Sequence, residues 1–334
     1  MQVAVIGCGY WGPNLVRNLN GITKKLICCD KDSKKLEKLK KRFPENTFTQ
    51  SAKDIFKDKS IDGVLIATSV TSHFELAKNA MEAGKHVFIE KPMAANPREA
   101  EDLIKIAEKN KLVLMVGHTF LFSPPVIKIN EIIKNKNLGK IYYISTTRVN
   151  LGLHQKDVSV IWDLAPHDFS ILFYWLNEIP KKIWATGKDY ILKGITDVAF
   201  VTMEFPSGTQ AHLQISWLAP SKLRRTAIVG SEKMLVYDDT ENVEKVKIFD
   251  KGVDYKDPET FGEFQLSYRS GDIWSPRLET FEPLQKEMEY FLHSVNTGKI
   301  DKCSGYEGLQ VVRVLEAAEK SLRNEGKAII LDSI

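Results

Sequence analysis

The stretch Val3–Gly12, with the sequence VAVIGCGYWG, decides the fold. Four apolar residues lead directly into a Gly-x-Gly-x-x-Gly pattern, and Pro13 then opens a helical segment. In a strand–turn–helix unit of this kind, Gly7 permits the tight turn, Gly9 lets the backbone approach a pyrophosphate, and Gly12 lets helix and strand pack closely. The helix N-terminus also offers free N–H groups to phosphate. The stretch therefore predicts a dinucleotide-binding turn.

An acid at the end of the next apolar run indicates which dinucleotide to expect. Asp30 follows Leu26–Cys29, 18 residues after Gly12. A carboxylate at this point accepts hydrogen bonds from the ribose hydroxyls of NAD, and it repels the 2′-phosphate of NADP. The adjacent Lys31 would soften that repulsion if it faced the ribose, but we interpret it as a solvated charge at a helix start. The pattern favours NAD over NADP.

The first 120 residues alternate apolar runs with amphipathic segments. The apolar runs, rich in Val, Ile and Leu, are Gln2–Ile6, Lys25–Cys29, Gly63–Ala67, His86–Ile89 and Leu112–Val116. The helical patterns between them cover Pro13–Leu19, Ser33–Arg42, Ser72–Glu82 and Pro97–Lys109. Alternation of this kind indicates a parallel sheet covered by helices on both faces. We therefore predict an α/β, doubly wound Rossmann domain over residues 1–120.

The remaining residues, 121–334, follow a different pattern. Strand-like runs succeed one another at Lys140–Val149, Lys182–Lys188, Thr196–Phe205, Thr209–Trp217, Leu223–Val229, Met234–Tyr237 and Lys245–Phe249. Helical patterns are few, at Val126–Lys134, Asp168–Leu176, Glu282–Asn296 and Tyr306–Arg323. We expect Asp168 to be the N-cap of its helix. The pattern predicts an α+β domain, built on a large open and mostly antiparallel sheet, that binds substrate and mediates oligomerisation.

Composition argues against several classes of protein. The 334 residues are 43% hydrophobic and 27% charged, which is typical of globular domains. The net charge is only +4 and no basic stripe stands out, so we expect no nucleic-acid partner. No apolar run reaches the roughly 18–20 residues of a membrane span, and the N-terminus resembles no signal peptide, so we expect a cytoplasmic protein. Neither the four cysteines nor the seven histidines have metal-ligand spacing, and we expect no metal.

Two further segments place polar residues where chemistry is expected. Glu90-Lys91-Pro92 follows an apolar run, at the carboxyl end of a predicted parallel strand, where open α/β sheets bind ligands. Pro92 restricts the backbone of Lys91 and permits a cis peptide bond there. Asp163 and His167 are four residues apart, a spacing that puts both on one face of a helical turn. A carboxylate beside an imidazole orients it and suits it to proton transfer.

Together with the N-terminal fingerprint, these motifs resemble those of the glucose–fructose oxidoreductase / inositol dehydrogenase (Gfo/Idh/MocA) family of NAD(P)-dependent sugar dehydrogenases. The resemblance covers essentially the whole chain. The family's Glu-Lys-Pro tripeptide is matched at residues 90–92, and its Asp-x-x-x-His element is matched by Asp163 and His167. The resemblance implies that Lys91 and His167 act at the reacting hydroxyl, supported by Asp163. Which of the two accepts the proton stays open.

The fingerprint, the expected acid and the resemblance together give a set of candidate binding residues. Those expected to bind the cofactor are Gly7, Gly9, Tyr10, Trp11, Gly12, Asp30, Thr68, His73, Glu90 and Lys91. Those expected to reach the substrate are His118, Arg148 and Asn150. Arg148 could bind a phosphate or carboxylate through two hydrogen bonds, although a solvent-facing arginine at a strand end is about equally consistent with its position.

The segment Gly9–Asn18, GYWGPNLVRN, resembles one branch of that family in particular. Members of this branch are linked to oxidation of amino-sugar nucleotides at C3, which implies a UDP-N-acetylhexosamine or its uronate as substrate. Two alternatives remain open. One is a dehydrogenase of inositol or free sugars, and the other is a nicotinamide-binding regulatory protein without turnover. Lys91 and His167 argue against the regulatory protein, because a sensor needs neither.

The strands of the second domain also bear on assembly. Thr196–Phe205 carries apolar residues at both parities, which predicts burial on both faces, whereas Thr209–Trp217 alternates and predicts one solvated face. The predicted helices are too few to cover both faces of a large sheet. A face of mixed apolar and small polar residues suits contact with a second copy, and the family resemblance implies the same. We expect a homodimer or homotetramer joined through this sheet.

Overall fold

The computed structural model describes residues 1–152, 154, 158–255 and 266–331, which form two compact units. The first unit consists of Met1–Phe122 and Phe281–Glu316, and the second of Ser123–Thr280 and Ala317–Ile334. Residues 281–316 therefore belong to the first unit, whereas the sequence pattern had placed them in the second domain. Phe291, which lies in this segment, packs edge-to-face with Phe88, and the two ring centroids are 5.8 Å apart.

The first unit contains a six-stranded, wholly parallel sheet, as predicted. Its strand order is β3-β2-β1-β4-β5-β6. The strands are β1 (Gln2–Ile6), β2 (Lys25–Cys29), β3 (Thr47–Thr49), β4 (Gly63–Ile66), β5 (His86–Glu90) and β6 (Leu114–Gly117). The helices are α1 (Gly12–Leu19), α2 (Ser33–Arg42), α3 (Ala52–Lys57), α4 (His73–Glu82) and α5 (Pro97–Asn110). The short elements β3 and α3 were missing from the sequence prediction.

The glycine-rich turn after β1 has the geometry that the sequence predicts. Gly7 has a φ of +98°, a left-handed conformation that residues with a Cβ rarely adopt. A Cβ on Gly12 would overlap the carbonyl oxygen of Gly7, so only glycine allows α1 to begin this close to the turn. Around Gly9 the space is open, because the nearest atom to an added Cβ is Lys35 Nζ at 3.9 Å.

The second unit contains a nine-stranded sheet with the order β14-β13-β12-β11-β7-β10-β9-β8-β15. The strands are β7 (Ile141–Leu151), β8 (Lys182–Lys188), β9 (Val198–Glu204), β10 (Gln210–Ser216), β11 (Leu218–Gly230), β12 (Met234–Asp238), β13 (Val246–Tyr255), β14 (Leu266–Trp274) and β15 (Ile329–Ile330). β7 and β10 pair in parallel and the other pairs are antiparallel, which confirms the predicted mostly antiparallel sheet.

The remaining helices are α6 (Pro124–Lys134), α7 (Val160–Leu176), α8 (Pro283–Thr297) and α9 (Gly305–Arg323). α7 begins well before the predicted Asp168, and this part of the prediction was wrong. Asp168 lies inside the helix and is not its N-cap; Pro166 is also inside, where its missing N–H removes one helical hydrogen bond. Among the described residues, no helix is both long and apolar enough to cross a bilayer.

The nine-stranded sheet has one buried face and one open face. On β9 the residues Ala199, Val201 and Met203 are buried, whereas Phe200 between them is 40% exposed. The predicted burial of this strand on both faces was therefore wrong. α7 packs against β9 and β10, and among the described residues Phe200 and His212 on the opposite face are exposed. β10 has the single solvated face that its alternation predicts, since His212 is exposed and lies beside the Phe200 ring.

Strand register brings the exposed apolar residues of the sheet onto one face. Residues that are direct cross-strand partners lie on the same face of a sheet. Tyr143 is the partner of Val229, Val229 of Met234, Met234 of Phe249, and Phe249 of Ile273. Tyr143 and Ile273 are about half exposed. The open face is thus a mixture of apolar and polar side chains across its whole width.

The close approach at Gly12 predicts a clear difference between two glycine substitutions. Gly12→Ala would force the new methyl group against the Gly7 carbonyl, and such overpacking typically costs about 1–3 kcal/mol of unfolding free energy. Gly9→Ala meets open space and should leave that free energy nearly unchanged. Urea unfolding of both variants measures the difference, and equal stabilities would contradict the packing role of Gly12.

Candidate functional site

The turn after β1 is fixed by the acid that ends β2. Asp30 Oδ2 accepts a hydrogen bond from the backbone N–H of Cys8 (2.8 Å), and Oδ1 accepts one from the backbone N–H of Asp32 (2.9 Å). Lys35 Nζ lies 3.7 Å from Oδ2, whereas the Lys31 considered in the sequence is an exposed side chain. Asp30 therefore orients the glycine-rich turn.

Two residues beside Gly9 differ in their surroundings. The side chain of Tyr10 is 89% exposed and Trp11 is partly buried at the start of α1. Both belong to the expected cofactor-binding set, and both sit on the turn whose backbone leads into the helix N-terminus. The geometry of the turn, with an open space at Gly9 and an acid at the end of β2, fits a dinucleotide.

The segment after β4 is tied to the Glu-Lys-Pro turn by a buried histidine. His73 Nδ1 lies 3.0 Å from the Pro92 carbonyl oxygen, and Nε2 lies 3.2 Å from that of Thr68. Burial lowers the pKa of His73 below its usual 6.5, so the ring is neutral near pH 7 and donates to one carbonyl at a time. The Lys91–Pro92 peptide bond is cis, as the sequence permitted.

Glu90 ends β5 with its carboxyl turned inward. A Cβ on Gly117, the register partner of Glu90 on β6, would lie 2.9 Å from Glu90 Oε2, so this carboxyl occupies space that a larger residue would fill. Burial raises the pKa of Glu90 to about 7, while the charge of Lys91 and the Trp11 indole act in the opposite direction. Near neutral pH the carboxyl is thus poised between its two protonation states.

The residues that follow β6 complete this buried cluster. His118 is 1% exposed, and within the described part of the chain neither ring nitrogen has a hydrogen-bond partner. Burial, followed by the charge of Lys91, lowers the pKa of His118 to about 4, so its ring is neutral at pH 7. A neutral imidazole with both nitrogens available can donate one hydrogen bond and accept another.

Glu287 on α8 is an acid that the sequence analysis did not single out. It is fully buried, and its Oε2 accepts a 2.6 Å hydrogen bond from Thr119 Oγ1. Burial, and then the charge of Glu90, raises its pKa well above the usual 4.5. Its only sequence signal is an acid at helical spacing among apolar residues: Leu284, Met288 and Phe291 are buried on the same helix.

In the second unit, Asp163 and His167 lie on α7 one turn apart, as their spacing predicts. Trp217 Nε1 donates a 3.0 Å hydrogen bond to Asp163 Oδ2, which fixes the carboxylate. Trp217 itself is fully buried, and the ring of His154 lies 5.3 Å from it. Asp163 is therefore held in place by an indole that belongs to the core of the second unit.

Arg148 has a different place from the one expected. It is buried on β7, and its Nε and Nη2 donate to the two oxygens of Asp168 at 2.5 and 3.2 Å. Arg148 is therefore not a solvent-facing arginine, and Asp168 pairs with it from inside α7 and does not cap a helix. Thr146 Oγ1 donates to the same carboxylate, and Asn150 lies partly buried near the end of β7.

The described residues contain no group of three or more His, Cys, Asp or Glu side chains arranged to hold a metal ion. The ionisable groups described above fall into two sets, one in each unit. In the first unit these are Lys91, the buried carboxyls of Glu90 and Glu287, and the neutral imidazoles of His73 and His118. In the second unit they are the fixed carboxylate of Asp163 and the imidazole of His167.

Two family models match most of the chain. The model described as an oxidoreductase family with an NAD-binding Rossmann fold matches residues 1–118. The model described as the GFO/IDH/MocA C-terminal domain matches residues 126–236. The two matches fall on different compact units and follow the order in which the two domains were predicted.

Similar proteins are spread over several activities. A myo-inositol 2-dehydrogenase of Thermotoga maritima is 24% identical over 352 aligned positions, covering 100% of this chain and 99% of its own. A UDP-N-acetylglucosamine 3-dehydrogenase of Acidithiobacillus ferrooxidans is 26% identical, covering 71% of this chain and 74% of its own. GenD2 from gentamicin A biosynthesis, solved with NAD, has the same fold with a TM-score of 0.83 at 19% identity, covering 100% of this chain and 97% of that one.

The burial of Glu90 predicts a pH dependence of stability. Its folded-state pKa of about 7 lies above the usual 4.5, so the fold favours the protonated carboxyl. That contribution is fully present below about pH 4.5 and is lost as the pH rises through 7. The free energy of unfolding should therefore fall relative to that of Glu90→Gln over this interval, by on the order of 3 kcal/mol. Urea unfolding across pH 4 to 8 measures this, and a pH-independent difference between the two proteins would contradict it.

Proposed function

We propose, from the premise that this chain belongs to the GFO/IDH/MocA family of NAD-binding oxidoreductases, that it oxidises the C3 hydroxyl of a UDP-N-acetylhexosamine or of its uronate. Family membership makes the chain a sugar oxidoreductase; the proposal concerns which sugar. The observation that carries it is the similarity to UDP-N-acetylglucosamine 3-dehydrogenase, at 26% identity over 239 residues. The segment Gly9–Asn18 points to the same branch of the family.

The proposed reaction needs an acceptor for the hydride and one for the proton. NAD, which the glycine-rich turn and Asp30 would hold, would supply the hydride acceptor when bound, and the protein supplies orientation and the proton path. Lys91 and His167 are the proposed proton-handling residues, with Asp163 holding His167 in orientation. The Asp163 carboxylate accepts a hydrogen bond from the buried Trp217 indole, and this bond fixes its orientation. Both Lys91 and His167 are proposed as candidates for the group that accepts the hydroxyl proton.

The proposed cofactor site lies at the carboxyl edge of the parallel sheet. Its residues are Gly7, Gly9, Tyr10, Trp11, Gly12, Asp30, Thr68, His73, Glu90 and Lys91. His73 would act indirectly, since it is buried and joins the Thr68 segment to the Pro92 turn. His118 and Asn150 remain proposed substrate residues, and Arg148 does not, because Asp168 engages two of its nitrogens.

Oxidation of inositol or a free sugar is the second candidate. The observation in its favour is the match of the whole chain to a myo-inositol 2-dehydrogenase, with 100% of this chain covered. An assay that follows NADH formation with a panel of substrates separates the two candidates. UDP-N-acetylglucosamine, UDP-N-acetylgalactosamine and their uronates should give kcat/KM values at least 100-fold above those of myo-inositol and glucose. A preference for inositol would replace the proposed substrate but leave the reaction class intact.

Loss of either proposed proton-handling residue should lower turnover strongly. Lys91→Ala and His167→Ala should each reduce kcat by about 10²–10⁴, because a positioned acid or base typically contributes that much. NADH binding, followed by fluorescence titration, should survive in His167→Ala. Asn324→Ala, at an exposed position, is the matched surface control. Near-normal kcat in both variants would show that these residues are not the proton-handling groups.

We also propose a homodimer or homotetramer joined through the open face of the nine-stranded sheet. The exposed apolar residues Tyr143, Phe200 and Ile273 on that face support it, since a self-complementary sheet face suits closed symmetry. Light scattering should give a mass of about two or four times 37.9 kDa. Phe200→Glu should lower it without unfolding the chain. A monomer at micromolar concentration would contradict the proposal.

A further inference from the structure

The backbone of Trp217 is bonded to two neighbouring strands of the second unit. Trp217 directly follows β10 and is fully buried. Its backbone N–H donates to the carbonyl oxygen of Asp197 (3.0 Å), just before β9, and its carbonyl oxygen accepts from the N–H of Gly152 (2.9 Å), just after β7. The residue is therefore anchored on both sides and cannot shift without moving the sheet.

The missing side chain of Gly152 makes room for the indole of Trp217. A Cβ on Gly152 would lie 2.7 Å from Trp217 Cδ1 and 3.3 Å from Asn150 Nδ2. The backbone of Gly152 is not among the left-handed positions of the chain, so the close approach of the indole is what requires glycine here. The ring of His154 packs on the indole with ring centroids 5.3 Å apart. The indole is thus held in place by packing as well as by its backbone.

The polar atom of this fixed indole is directed at Asp163. Trp217 Nε1 donates to Asp163 Oδ2 over 3.0 Å, and an indole nitrogen has one hydrogen to donate. A hydrogen bond to a carboxylate is stronger than one between neutral groups. Asp163 lies on α7 one turn before His167, so the position of its carboxylate bears on that imidazole.

We propose that Trp217 is a positioning residue for the reaction, which holds the Asp163 carboxylate in the orientation that supports His167. The inference rests on the proposed roles of Asp163 and His167. Trp217 is assigned no contact with substrate or cofactor, and its effect passes through the single hydrogen bond from Nε1. Without that bond the carboxylate gains access to other rotamers, and the imidazole loses a fixed neighbour.

α7 itself offers a matched control. Trp175 is also buried, and its Nε1 donates a hydrogen bond of the same length, 3.0 Å, to the carbonyl oxygen of Val126. Trp217→Phe and Trp175→Phe each remove one indole and one hydrogen bond from the interior, so both should lower stability. Only Trp217→Phe takes the bond away from a residue with a proposed part in the reaction.

The experiment measures kcat and KM of the full chain with NAD and the best substrate of the panel above. Trp217→Phe should lower kcat about 10- to 100-fold, because a small displacement of a reacting group costs that much. Its KM should stay within about threefold, since the lost interaction is one that acts in the transition state. Trp175→Phe should leave both constants near those of the unsubstituted chain.

A double-mutant cycle separates positioning from a general structural effect. In the His167→Ala background, Trp217→Phe should change kcat less than about twofold, because residues that act as a unit are not additive. A purely structural role of Trp217 would lower kcat equally in both backgrounds. The same loss of additivity is expected in the Asp163→Ala background.

Three outcomes would overturn the inference: a near-normal kcat in Trp217→Phe, an equal loss in Trp175→Phe, or an undiminished loss in the His167→Ala background. A near-normal kcat in His167→Ala would overturn it together with the proposed role of His167. A low kcat in His167→Ala beside a normal one in Trp217→Phe would overturn this inference alone.

A second replacement keeps the test decisive if circular dichroism shows that Trp217→Phe is unfolded. 3-Benzothienylalanine at position 217 keeps two fused rings and replaces the indole N–H by sulfur. It removes the hydrogen bond to Asp163 without leaving a cavity. The same selective loss of kcat is expected, and a normal kcat with this residue would contradict the positioning role.

Discussion

The burial of the Glu90 carboxyl is the constraint on which the polar groups at the carboxyl edge of the six-stranded sheet depend. A buried carboxyl is tolerated only where its charge is removed or balanced. The absence of a side chain at Gly117 gives it room, and Lys91 supplies the neighbouring positive charge. Burial, followed by the charge of Lys91, lowers the pKa of His118, and burial, followed by the charge of Glu90, raises the pKa of Glu287. Of these groups Glu90, with a pKa of about 7, is the one that can exchange a proton near neutral pH.

Ionisable groups are stabilised in three different ways, at Glu90, at Asp30 and at the Arg148–Asp168 pair. Around Glu90, burial suppresses ionisation, so proton affinity rises. At Asp30 the carboxylate is bonded to backbone amides and stays close to solvent-facing cations, an arrangement suited to holding a polar ligand. At Arg148 and Asp168 two buried charges pair with each other on β7 and α7, which is an arrangement for structure rather than for binding.

Much of the fold was predictable because its signals are local. The Gly7–Gly12 turn and the strand–helix alternation predict a parallel sheet, and α2 matches its predicted bounds because Asp32 and the apolar spacing mark it clearly. β3, with only three residues, left no periodicity to read. α7 was started too late, because Pro166 and the polar Asp163 and His167 interrupt its apolar pattern. Glu287 could not be singled out from the sequence, because its hydrogen-bond partner Thr119 lies 168 residues away along the chain.

A dehydrogenase of this family passes a hydride from a sugar carbinol carbon to NAD, and C3 is the carbon proposed for this chain. The most direct measurement uses UDP-N-acetylglucosamine carrying deuterium at C3, with mass spectrometry of both products. Direct transfer predicts that the deuterium appears in the reduced nicotinamide and that the sugar nucleotide becomes its 3-keto form. Release of the deuterium to water, or a reduced cofactor without label alongside an oxidised sugar, would contradict hydride transfer from C3.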